Sequence, residues 1–289
     1  MEAITPAPNN FVANLINGAF EDLTSAFDTL IDPSRNTAFT NVKTFGAVGN
    51  GINDDTVAIQ NALNSGGTIY FPAGTYLITS GLTATDVNIT GDGASLSIIQ
   101  ANITSDIALS FINTNSATIQ NIKIQGINDT LDTSNTSVGL LIQGNNGSTA
   151  AIMTSAYNIG VANFGTALEL GNYTWLNKFY NCGFASSNVG VNCAGGTTNG
   201  ENDSFYGCVI NNNTTGVEVT AGYYDLYFYG TSFDYNTNYI FYANDMDSEA
   251  INFIGCHFEM DLSSSVIAPI YAMQGSDAVG VCDWYPIPL

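Results

Sequence analysis

The chain has 289 residues and a formal net charge of −21, with four basic side chains: Arg35, Lys43, Lys123 and Lys178. So few cations argue against nucleic acid, which needs clustered Lys and Arg, and against a polyanionic substrate unless Ca²⁺ bridges it. Charged residues are 10% and apolar residues 45%; no run of about 18 apolar residues suggests a membrane span, and the Gly, Asn, β-branched and aromatic content favours an all-β chain with many turns.

At the N-terminus, Val12, Ile16, Phe20, Leu23, Phe27 and Leu30 fall at helical intervals. The spacing predicts a helix with a coiled-coil-like seam, ended by Asp32-Pro33-Ser34. This stem, residues 1–38, either packs on the following domain or self-associates. Met1-Glu2-Ala3 has neither the basic n-region nor the apolar h-region of a secretory signal.

The stretch Phe45 to Tyr76 reads as a cap. Gly46, Gly49 and Gly51 permit turns, and Asp54 and Asp55 are natural N-caps before Thr56. Val57, Ala58, Ala62 and Leu63 mark one face of about two helical turns, stopped by Gly66-Gly67. Two short strands follow, Thr68–Phe71 and Tyr76–Ile78, around Pro72-Ala73-Gly74. A short helix followed by strands suits the closed end of a solenoid.

From Phe179 onward the chain repeats itself. Phe179, Phe205, Phe228 and Phe253 each open a similar hexapeptide, at intervals of 23 to 26 residues. Asn121-Ile122-Lys123-Ile124 reads as an earlier rung, and Gln125 to Ser137 as an inserted loop. Leucine-rich repeats share this length, but their leucine spacing is missing; the period fits coils of a parallel β-helix. Asn121, Asn158, Asn181, Gly207, Gly230 and Gly255 precede a column of Ile159, Cys182, Cys208, Thr231 and Cys256. Asn and Gly tolerate the left-handed conformation that a sharp bend requires, and stacked asparagines can form ladders. The cysteines read as core thiols, since C-x-x-C metal spacing is absent; neither a metal nor another cofactor is expected. Further inward rows are Val191/Val217/Ile240 and Cys193/Val219/Tyr242.

With these residues in place, Phe45 to Tyr76 resembles the opening of the pectate-lyase-3-type right-handed parallel β-helix family, roughly FGA-x-G-D-G-x-x-D-D-T followed by GG-x-x-x-x-P-x-G-x-Y. Asn50 stands where the pattern has Asp, and Gly91-Asp92-Gly93 matches the next G-x-G turn. The resemblance reaches to about Met260. It implies an all-β fold, a single-stranded right-handed parallel β-helix over 39–262 with a capping helix, preceded by the helical stem and followed by a tail, 263–289. The family includes lyases, glycosidases and bacteriophage tailspikes. A short stem, a capped β-helix and no secretion signal resemble a bacteriophage spike or fibre protein. Such a protein is a homotrimer attached to other virion proteins through its N-terminal segment, is released by lysis, and contacts bacterial surface polysaccharide. The alternatives are a non-catalytic structural or decorating spike, and a cellular polysaccharide lyase or hydrolase.

The family's lyases use an Arg base beside carboxylate-bound Ca²⁺, but the sole Arg here, Arg35, precedes the solenoid. The N-T-D, G-H-G and R-I-K motifs of polygalacturonases are absent from the repeat region. If the chain is an enzyme, glycoside hydrolysis is therefore favoured over lyase chemistry. The candidate catalytic carboxylates are Glu169 with Glu218, in an outward column completed by Asn192 and Phe241, and Asp234 with Glu259, equivalent positions in successive coils. The alternative for each pair is solvated surface. His257, the chain's only histidine, reads as a surface or structural residue or as a general base. Tyr180, Tyr206 and Tyr229 form a column suited either to stacking on sugar rings or to a subunit interface.

Overall fold

The computed structural model describes residues 39–127, 134–145, 149–196, 200–220, 222, 224–246, 251–259 and 270–274. The stem at 1–38 and most of the tail at 263–289 lie outside the described residues. The unit Thr40–Leu289 is distinct from Met1–Phe39.

Three parallel sheets build this unit. The first has nine strands, from Thr40–Asn41 to Ile251–Ile254; the second has nine, from Asn50–Asp54 to His257–Glu259. The third has eight, from Leu82–Ala84 to Ile270–Gln274. In the repeat, each coil gives one strand to each sheet, so a strand pairs with its counterpart one coil away. The result is a right-handed parallel β-helix.

Strand alternation separates inside from outside. In Lys178–Tyr180 only the middle residue, Phe179, is buried, and it stacks along the axis. Phe179 lies 4.7 Å from Phe205, Phe205 lies 4.9 Å from Phe228, and Phe228 lies 5.2 Å from Phe253, between ring centroids. Phe184 and Phe233 of the second sheet meet this stack edge-on, the geometry aromatic quadrupoles prefer.

The first and second sheets meet at a bend repeated coil after coil. Asn121, Asn158, Asn181, Gly207, Gly230 and Gly255 occupy it with φ between +52° and +63°. Asn158 Nδ2 donates to Asn121 Oδ1 at 2.9 Å, one rung of a ladder. The next residue points inward: Ile122, Ile159, Cys182, Cys208 and Thr231 are buried, and Cys256 is half-buried. Cys208, Thr231 and Cys256 each donate to the backbone carbonyl of Phe179, Phe205 or Phe228 at 3.2–3.3 Å. Cysteine and threonine share the column because each supplies a small body and one donor. The cysteines 182, 193, 208 and 256 are free thiols.

Buried polar ladders line the other two bends. Ser187 N donates to Asn213 Oδ1, and Asn213 N to Asn236 Oδ1, at 3.0 and 3.1 Å. Thr154 N donates to Asn177 Oδ1, and Asn177 N to Asp203 Oδ1, at 3.1 and 2.8 Å. These side chains satisfy amides that a sharp turn would otherwise strand.

The cap differs from the sequence reading in detail. The helix Thr56–Asn64 buries Thr56, Ile59, Ala62 and Leu63, while Val57 is 73% exposed. One buried face per turn requires steps of three or four residues, and Ile59 rather than Val57 keeps that step. Asp54 accepts from Thr56 N at 3.0 Å, whereas Asp55 reaches back to Val48 N and Gly49 N at 2.7 and 3.0 Å. Asp55 is the N-cap residue, but its side chain, 1% exposed, clasps the glycine turn, and Asp54 takes the first helical amide in its place.

Three repeat details also shift. Gln125 and Gly126 belong to the strand Lys123–Gly126, so the insertion starts after them. Glu218 pairs with Tyr242, not Phe241; Val217 pairs with Phe241 and Val219 with Ala243. The turn after Asp234 is one residue longer than the turn after Asn211, as the pairs Asn211↔Asp234 and Thr215↔Tyr239 require. That extra residue moves Phe241 from the expected outward column to the core, where it is 1% exposed. Finally, Ile270–Gln274 adds a strand to the third sheet beyond the end of the visible repeat.

Candidate functional site

Among the described residues, three outward clusters hold the candidate groups, one on each sheet. On the first sheet the register aligns Tyr157, Tyr180, Tyr206 and Tyr229. Their rings stack with centroids 4.8, 4.8 and 4.9 Å apart and planes within 9° of parallel. Tyr227 lies 6.1 Å from Tyr229, nearly coplanar in orientation. Burial and the neighbouring phenols push the Tyr180 hydroxyl above its ordinary range. The sequence repeat marks Tyr180, Tyr206 and Tyr229; Tyr157 was missed because Ala156 stands where its coil would have the repeat's leading Phe.

On the third sheet, Glu169, Asn192 and Glu218 are aligned in successive coils. All three are half-buried. Two coil steps place the carboxylates about 10 Å apart. Burial pushes both carboxyls above the ordinary glutamate range; at Glu169 a hydrogen bond from Asn192 pulls the other way. Each is thereby biased toward the protonated form that a general acid requires.

On the second sheet, Asp234 pairs with Glu259, and Ser232 with His257. One coil step sets the carboxylates about 5 Å apart. His257 Nε2 lies 3.9 Å from Asp234 Oδ1 and 3.8 Å from Glu259 Oε2. Ser232 Oγ donates to Asp234 Oδ1 and Oδ2 at 2.7 and 2.9 Å, and Tyr235 OH donates to Glu259 Oε1. The sequence reading weighed His257 alone, because it stands 23 residues from Asp234 and only coil register joins them.

One acid is deeply buried. Asp203 is 0% exposed, Oδ1 accepts from Asn177 N and Nδ2, and Oδ2 has no hydrogen-bond partner. Burial pushes its carboxyl up to about 7 against those two donors. It ends a polar ladder inside a bend, so it belongs to the scaffold and not to an outward site.

A family model described as "Rhamnogalacturonase A/epimerase, pectate lyase-like" matches residues 39–218. Mannuronan C5-epimerase AlgE2 of Azotobacter vinelandii is 41% identical over 73 residues, covering 21% of this chain and 7% of that protein. The solved structure of ORF18 from Geobacillus virus E2 aligns over 92% of this chain and 64% of its own, with a TM-score of 0.58 and 19% identity. The gp42 tailspike of Acinetobacter phage vb_AbaP_AS12 aligns over 78% of this chain and 46% of its own, with a TM-score of 0.57 and 12% identity. The chain thus spans under two thirds of each of these relatives.

Proposed function

Since the chain belongs to the pectate-lyase-like rhamnogalacturonase A/epimerase family, we propose that it is a virion spike domain that contacts bacterial surface polysaccharide. The observation that carries this is the outward ladder Tyr157, Tyr180, Tyr206 and Tyr229. Stacked at 4.8–4.9 Å, the rings cover one another's faces, so the ladder offers a saccharide a continuous row of aromatic edges and phenol hydroxyls along a rigid sheet. The two viral proteins share the fold, and one of them is a tailspike. The chain assembles as a homotrimer, with residues 1–38 reaching other virion proteins.

Where cleavage accompanies contact, two carboxyls must flank the bond, one protonated and one ionised. Glu169 and Glu218 are the first pair, on a rigid strand face; burial raises both carboxyls, which suits the acid, and the hydrogen bond from Asn192 opposes that rise at Glu169 alone, which makes Glu169 the candidate for the ionised partner. Their spacing of about 10 Å lies near the ~6.5–9.5 Å of inverting pairs. Asp234 and Glu259, about 5 Å apart, match the retaining distance and form the second pair.

Incubation of the purified chain with host capsule or lipopolysaccharide tests both parts. Saccharide binding that Tyr206→Ala weakens supports the ladder, and the absence of binding to any host glycan sinks the reading. Released oligosaccharides indicate cleavage. In that event Glu218→Gln lowers kcat at least ~100-fold with the fold intact; full activity in Glu218→Gln and in Glu259→Gln removes both pairs.

A further inference from the structure

We propose that Asp234, His257 and Glu259 form a binding site for a transition-metal dication of the Zn²⁺ class. This goes beyond contact with polysaccharide and does not depend on it. The three residues belong to two neighbouring strands in register, Ser232–Asp234 and His257–Glu259. Alternation sends Asp234, His257 and Glu259 outward, while Phe233 between the first strand's outer residues is fully buried. One donor atom from each residue lies within 4.8 Å of the other two.

The distances fit a common ion. Bonds of about 2.0–2.2 Å to imidazole nitrogen and carboxylate oxygen place donors some 3 to 4 Å apart around one metal. His257 Nε2 already stands 3.9 and 3.8 Å from the two carboxylates, so small side-chain rotations close the site. Both carboxylates are oriented by hydroxyls from outside the donor set. Ser232 Oγ holds Asp234, and Tyr235 OH takes Glu259 Oε1, leaving Oε2 on the histidine side. Hydroxyls that fix ligand carboxylates in this way normally raise metal affinity.

The donor set selects the ion. One imidazole with two carboxylates suits Zn²⁺ and its neighbours, whereas Ca²⁺ and Mg²⁺ take oxygen donors almost alone. Three protein ligands leave positions open to water on a surface where His257 and Glu259 are 55% and 47% exposed. The competing account is a protonated His257 bridging two carboxylates, an exposed ion pair of small energetic value. With a metal bound, Asp234 and Glu259 act as ligands and not as an acid–base pair.

Titration calorimetry of the chelator-treated full chain with ZnCl₂ and with CaCl₂ decides between these accounts. The expected result is one Zn²⁺ per chain and markedly weaker Ca²⁺. His257→Ala and Glu259→Gln each weaken Zn²⁺ uptake at least ~10-fold, and Ser232→Ala about 10-fold, with unchanged circular dichroism. Cys256→Ser leaves uptake intact, and Co²⁺ bound to the unaltered chain lacks thiolate charge-transfer absorption. Absence of Zn²⁺ uptake, uptake unchanged in His257→Ala or Glu259→Gln, or a thiolate band in the Co²⁺ form overturns the site.

Discussion

At the scale of single residues, Asp203 illustrates how a scaffold position carries a pH signature. Its carboxyl is buried with one unpartnered oxygen, in a ladder whose other rungs are Asn177 and Thr154. Burial raises its folded-state value to about 7, whereas an unfolded aspartate titrates near 3.9. Between about pH 4 and pH 7 the folded chain holds a proton that the unfolded chain has released. Stability therefore declines as pH rises through that window, by up to about 1.4 kcal/mol per unit. Asp203→Asn removes the titrating group and keeps an amide-bearing rung. Its melting temperature should equal or exceed that of the parent at pH 8, with the decline between pH 5 and pH 8 reduced. An unchanged pH profile would show that Asp203 does not titrate in this window.

At the scale of elements, each strand is short, and stacking makes the set stable. Phe205 is in contact with Phe179 and Phe228 above and below and with Phe184 at its edge, and it is 0% exposed. Its neighbours are held by register on both sides, so they cannot collapse into a vacated space. Phe205→Ala should cost about 3–5 kcal/mol in denaturant unfolding; a loss under about 1 kcal/mol would contradict the packed stack. The bends explain why this much was legible in the chain. Asn121, Asn158 and Asn181, followed by Gly207, Gly230 and Gly255, occupy one left-handed position, and that restriction is written in residue type. The length of the turn after Asp234 is not written in that way. One added residue there carries Phe241 inward and brings Tyr242 beside Glu218.

At the scale of the whole molecule, the proposed assembly rests on the seam read in residues 12–30 and on the outward aromatic ladder. A homotrimer of the 30.5 kDa chain is the expected species, and mass measurement in dilute solution checks it. A stable monomer of the full chain would refute both the stem as an oligomerising element and the ladder as a subunit interface. Such a result would leave the tyrosine ladder available to sugar, because four stacked phenols on one sheet need no second chain to align them.

Residue types alone reveal the fold class, the presence of a capping helix, the phenylalanine stack and the left-handed bends. The stack and the bends depend on residue types that recur once per coil, because a solenoid repeats its local environment at each turn. Which outward side chains meet is set by the folded coils. Tyr157 joins the ladder although its coil lacks the leading Phe, and Asp234 meets His257 and Glu259 although 23 and 25 residues separate them. Those encounters depend on the length of every turn between two coils. Turn lengths vary from coil to coil, and one residue more or less reverses which face a side chain occupies.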